Sequence, residues 1–112
     1  MSLPDPVRLR HMVEAIEAAM QFAKGRSRAD LDTDAMLMFA LVRAVEVVGE
    51  AASKVSDATR AKMPGVPWRE MVGMRNRVVH AYFDIDRDIL WTTATEALPP
   101  LLAYLKSTSQ PE

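Results

Sequence analysis

The stretch "GMRNRVVHAYFD", residues 73–84, carries an Arg, an Asn and a His on a segment otherwise patterned for packing, with a Tyr two positions after the His. At about 100° per residue, a helix from Pro67 to about residue 80 gathers Trp68, Met71, Val72, Met74, Val78 and Val79 on one apolar arc. Arg75 falls inside that arc, while Arg69, Gly73, Asn76, Arg77 and His80 fall on the other side. A guanidinium left in a core without a partner is costly. Arg75 must therefore reach out of the core or meet an acceptor: Glu46 or Glu50 from this chain, or a phosphate in a cleft. Asn76 and His80, four apart, share a face, and Gly73 leaves room beside them.

Outward from this helix the chain reads as all-α. Asp5-Pro6 looks like a helix start, with Asp5 as the cap. Leu9, Met12, Val13, Ile16, Met20 and Ala23 then repeat at helical spacing, and Gly25 ends the run. "GRSRADLDTD" is a polar connection with room for one helical turn. Asp34 caps a second long helix from 35 to about 55. Its polar residues Arg43, Glu46, Glu50, Ser53 and Lys54 share one narrow arc, and the rest is apolar or small. A helix so broadly apolar is either central or shared with a second chain. Ser56 opens a short capped helix closed by Pro64-Gly65. Asp84 or Asp86 caps a last helix with Trp91, Ala94, Leu98, Leu101, Leu102 and Leu105 inside, which Pro99-Pro100 should kink. The tail "STSQPE" should fray. No strand alternation or repeat is visible. The expectation is one domain over 1–112, ordered from about 5 to 106: an antiparallel bundle of four main helices plus short turns.

Composition narrows the classes. Hydrophobic residues at 49% and charged residues at 26% are ordinary for a globular chain. With no Cys, disulfides and thiolate metal sites are excluded. Two histidines far apart give no metal-site signal, and no Gly-rich phosphate loop is present, so no cofactor or metal is expected. The first residues lack an export pattern, and no apolar run suggests a membrane span, so a cytoplasmic protein is expected. The net charge is −1, but residues 54–77 hold six cations against two anions, a local basic stretch suited to phosphate.

Arg75, Asn76 and His80 suit one chemistry in particular. Imidazole exchanges protons near neutral pH. Guanidinium offers a fixed fork to a phosphate and stabilises charge growing on it. A carboxamide orients either group. Together they fit RNA cleavage without metal, in which the ribose 2′-hydroxyl attacks the adjacent phosphate; DNA lacks that hydroxyl. Arg75 and His80 are separated by about 140° and 7.5 Å of helix, so a two-fold dimer placing two motifs across one cleft would help.

The segment "MRNRVVHAYFDID" resembles the signature of the HEPN superfamily, in its HepT-like prokaryotic toxin branch: Arg75, the polar Asn76, a short spacer, His80, one residue, Tyr82. "VEVVGEAASKVS", "MPGVPWREMVGMRNR" and "LWTTATEALPPL" are similar to the same branch, so the likeness spans roughly residues 7–105. The resemblance implies an all-helical homodimer with metal-independent ribonuclease activity. It implies Arg75 and His80 as catalytic residues with Asn76 assisting, and a neighbour-encoded nucleotidyltransferase antitoxin that adds AMP to Tyr82. Arg69 and Arg77 are candidates for steering the RNA backbone. The alternative is a non-catalytic dimeric partner or substrate of such a nucleotidyltransferase.

Overall fold

A computed structural model of the chain describes residues 3–81 and 84–108. Helix α1 spans Asp5–Ala23 and turns Met12, Ala15, Ile16 and Ala19 inward, one stripe at helical spacing. Gly25 follows with φ 73°, the left-handed turn that ends the run. The short α2 (Asp30–Thr33) leads to α3 (Ala35–Ser53), whose first turn is capped where the Asp34 carboxylate accepts from the Leu37 N–H. Helix α3 buries Leu37, Met38, Leu41, Ala44, Val45, Val48, Gly49, Ala51 and Ala52. It is the central helix, packed most extensively on α1 and next on α5.

Ser56 caps α4 (Asp57–Lys62), and α5 runs over Trp68–Val78. Pro67 is the cap of α5 rather than its first residue. Trp68 and Trp91 are half-buried against the core; Trp68 donates its indole N–H to the Met63 carbonyl at 3.1 Å. The last helical stretch comprises α6 (Arg87–Thr92), a π turn (Thr93–Ala97) and α7 (Leu98–Thr108). Pro99-Pro100, where a kink is expected, lie within α7, and the departure from α-helical geometry is the π turn just before them. Neither proline has an N–H to offer the preceding turn, and the coil widens so that Leu98 N–H reaches Thr93 O. Helix α7 packs on α1 and continues to Thr108, so the start of the tail is helical rather than frayed.

The helix carrying the motif is shorter than its sequence suggests. It stops at Val78, and Val79–Ala81 (β1) pairs antiparallel with Asp84–Ile85 (β2), with a bulge between Val79 and Ala81. Asp86 N–H closes this ribbon on Val78 O at 2.7 Å. The β-branched pair Val78-Val79 favours extended backbone, and a three-residue strand is too short to write an alternation. His80 thus lies on a strand, one element beyond Asn76, and the two do not share a helix face.

The α3–α5 contact depends on a missing side chain. A Cβ at Gly49 would stand 3.2 Å from the Met71 carbonyl oxygen, tighter than packed helices tolerate without giving way. Gly49→Val should therefore cost about 1–3 kcal/mol of stability, as overpacking does, measurable by denaturant unfolding.

Asp5 is not the cap of α1; Pro4 holds that position. Its carboxylate instead crosses to α4, accepting from Ser56 Oγ at 2.6 Å, Thr59 Oγ1 at 2.5 Å and Ser56 N–H at 3.2 Å. The Ser56 hydroxyl, then that of Thr59, holds this carboxyl below its ordinary 3.8. A carboxyl lowered in the folded state contributes stability above its ordinary value, and loses it as pH falls through the folded value. Asp5→Ala should accordingly melt below wild type at pH 7, with the gap closing toward pH 2 in paired thermal scans.

Candidate functional site

The C-terminal half of α3 and the outer side of α5 enclose an open cleft of about 310 Å³. Arg43, Glu46, Glu50 and Ser53 line it from α3, Val72, Arg75 and Asn76 from α5, with Gly49 at the helix contact. Val72, expected inside, is 38% exposed because this cleft opens beside it. Close approach at Gly49 brings Arg75 against the Glu46 carboxylate of α3.

Arg75 resolves its placement in both of the ways open to it. Its side chain leaves the apolar arc and is half-exposed, and its Nε donates to Glu46 Oε2 at 3.4 Å. Glu46 also faces Arg43 Nη1 at 3.9 Å. The contact uses Nε, and Arg75 lines the cleft with a guanidinium, a fork suited to two phosphate oxygens. A pair this exposed adds little stability; its consequence is orientation. Asn76 is exposed on the cleft wall beside it.

His80 stands apart. It is 50% exposed on β1 and does not line the cleft. Its neighbour is Asp86, with Nε2 3.8 Å from Oδ2. Of the two expected caps, Asp84 and Asp86, it is Asp86 that caps α6: its Oδ1 accepts from Ile89 N–H at 2.9 Å. Its second contact was not legible, because only the β1–β2 ribbon folds residue 86 back toward residue 80. Arg69 and Arg77 are exposed on α5 without lining the cleft, and Arg77 lies back along the helix toward Gly73. Tyr82 lies outside the described residues. Among those residues, no three His, Asp or Glu side chains are grouped to hold a metal ion, and no helix is long and apolar enough to cross a membrane.

A stripe of α3 links the cleft to an apolar surface. Met36, Phe39, Arg43, Glu46, Glu50 and Ser53 follow one another at steps of three and four. Met36 is 83% and Phe39 62% exposed. Beside them an apolar groove between α1 and α3 is lined by Ala15, Ala18, Phe22, Ala40 and Val47, and it shares Arg43 with the cleft.

The family model for "Ribonuclease HepT-like" matches residues 12–108. A protein of Thermococcus cleftensis named as a probable ribonuclease HepT is 38% identical over 93 residues, 83% of this chain and 84% of the relative. A protein of Caldanaerobacter subterraneus subsp. tengcongensis, provisionally named an RNase, is 35% identical over 112 residues, 100% of this chain and 99% of the relative. One of Methanocaldococcus jannaschii, named in the same provisional way, is 36% identical over 93 residues, 83% of this chain and 85% of the relative. No solved structure matches the chain significantly. A half-exposed Arg and Asn on one cleft wall, a half-exposed His just beyond their helix, and a family match over nearly all of the bundle agree: the chain belongs to the HepT-like ribonucleases of the HEPN superfamily.

Proposed function

We propose that this chain cuts RNA without a metal, through the RNA's own 2′-hydroxyl, and that Arg75, Asn76 and His80 carry the reaction. The observation that carries the reading is the half-exposed Arg75 guanidinium, turned out of the core and aligned by Glu46 at the edge of a cleft. Arg75 binds the scissile phosphate and stabilises the charge that grows on it. Asn76 orients a phosphate oxygen. His80 takes the proton of the 2′-hydroxyl as the O2′–P bond forms and the P–O5′ bond breaks. Arg69 and Arg77 steer the RNA strand from outside the cleft.

His80 does not line the cleft of its own chain. A homodimer supplies what is missing: His80 of one copy approaches the Arg75 cleft of the other, and a second imidazole is at hand to protonate the departing 5′-oxygen. Exposed Met36 and Phe39 support α3 as the dimer face, because their stripe runs directly into the cleft. In the cell the chain acts as the toxin of a toxin–antitoxin pair in the cytoplasm. The HepT-like motif supports a nucleotidyltransferase antitoxin that adds AMP to Tyr82, placing a phosphate and a base next to the site and repelling RNA by bulk and charge. The separation of His80 from the cleft also favours a second reading, a non-catalytic dimer that only presents Tyr82 to that partner.

Cleavage of a single-stranded RNA in EDTA decides between them. Wild type should cut RNA and leave the matching DNA intact. His80→Ala and Arg75→Ala should each lose about 10²–10⁴-fold in rate, the usual worth of such groups. Equal rates for wild type and His80→Ala would remove His80 from the mechanism, and background rates for all three would favour the non-catalytic dimer. The double variant Met36→Glu, Phe39→Glu should be monomeric by light scattering and lose cleavage; a dimer that persists would place the interface elsewhere.

A further inference from the structure

His80 has a neighbour that the motif does not name. Asp86 lies six positions on, across the β1–β2 ribbon, and is anchored twice. Its N–H donates to Val78 O at 2.7 Å, and its Oδ1 accepts from Ile89 N–H at 2.9 Å as the cap of α6. The remaining oxygen, Oδ2, faces His80 Nε2 at 3.8 Å. Among the described residues it is the one acidic group in ion-pair range of this imidazole. The capping bond and the ribbon together leave this carboxylate little freedom, whereas the imidazole is half-exposed.

We infer that Asp86 is a positioning residue for His80. Its fixed Oδ2 accepts from Nε2–H, selects that tautomer and leaves Nδ1 unprotonated toward solvent, where an RNA 2′-hydroxyl is met. The inference rests on the proposed role of His80 as proton acceptor. A carboxylate behind a catalytic imidazole acts this way by choosing the tautomer and holding the ring's direction. The 3.8 Å separation is longer than a direct hydrogen bond, and contacts of this kind tighten when substrate binds.

Asp86→Asn tests the idea with the fold kept, since Asn caps helices as well as Asp does. In that variant Ile89 N–H takes the amide oxygen, so the amide NH₂ faces the imidazole. Nε2 must then accept, and the proton moves to Nδ1. Asp86→Ser also caps α6 but is too short to reach the ring. The measurements are long-range ¹H–¹⁵N NMR of the His80 ring in the neutral form, thermal melting, and kcat and KM on single-stranded RNA. The expected result is Nε2–H in wild type and Nδ1–H in Asp86→Asn, with melting little changed. For both variants kcat should fall about 10- to 100-fold, the usual effect of a partner behind a functional histidine, with KM little changed. An unchanged tautomer in Asp86→Asn would overturn the inference, as would a loss of rate that only follows a loss of folded protein. A wild type that cuts no RNA would sink the proposed reaction, while the tautomer reversal would still be required of Asp86.

Discussion

The cleft exists because α5 lies directly on α3 at Gly49. No side chain holds the two helices apart there, and the Met71 carbonyl occupies the space a Cβ would need. One turn on, that approach sets Arg75 against Glu46 and leaves a cleft walled by charge rather than filled by core. With the helices farther apart, Arg75 would hang in solvent without a fixed direction. The same contact explains how an Arg can sit within an apolar arc: the arc ends at the cleft, and the long side chain crosses its edge.

Helix α3 does two jobs along its length. Its buried side, broad enough to pack against both α1 and α5, makes it the centre of the bundle. Its outer stripe begins with two exposed apolar side chains, Met36 and Phe39, and passes through Arg43 into the carboxylates of the cleft. The apolar patch and the charged cleft lie on one helix, so whatever covers the patch also borders the cleft. An exposed patch beside a polar rim is the usual mark of an association surface.

Much of this was legible in the sequence because helices write themselves in three- and four-residue steps. The stripe of α1, the broad burial of α3, the caps at Asp34 and Ser56, and the choice of Asp84 or Asp86 for the last cap all follow from local rules. Glu46 was one of two partners within the chain open to Arg75, and three-dimensional packing selected it. What escaped was set by long-range contacts. Asp5 caps nothing in α1 because Ser56 and Thr59 reach its carboxylate from across the chain. The ribbon at Val79–Ala81 is too short for a periodic signal, so the sequence carries the helix on to His80, which lies on the strand instead. Asp86 looked like a cap alone, since nothing in its local sequence tells that the chain doubles back toward His80.

The reaction itself is the most direct test. A single-stranded RNA is cut by the wild-type protein in EDTA and its ends identified by mass spectrometry. The same strand is then made with one 2′-deoxynucleotide at the mapped position. Attack by the ribose hydroxyl requires a 2′,3′-cyclic phosphate on the upstream fragment, a 5′-hydroxyl on the downstream one, and an intact strand at the deoxy position. Cleavage that persists at the deoxy nucleotide, or fragments bearing a 5′-phosphate and a 3′-hydroxyl, would contradict attack by the ribose hydroxyl and with it the roles given to Arg75, Asn76 and His80.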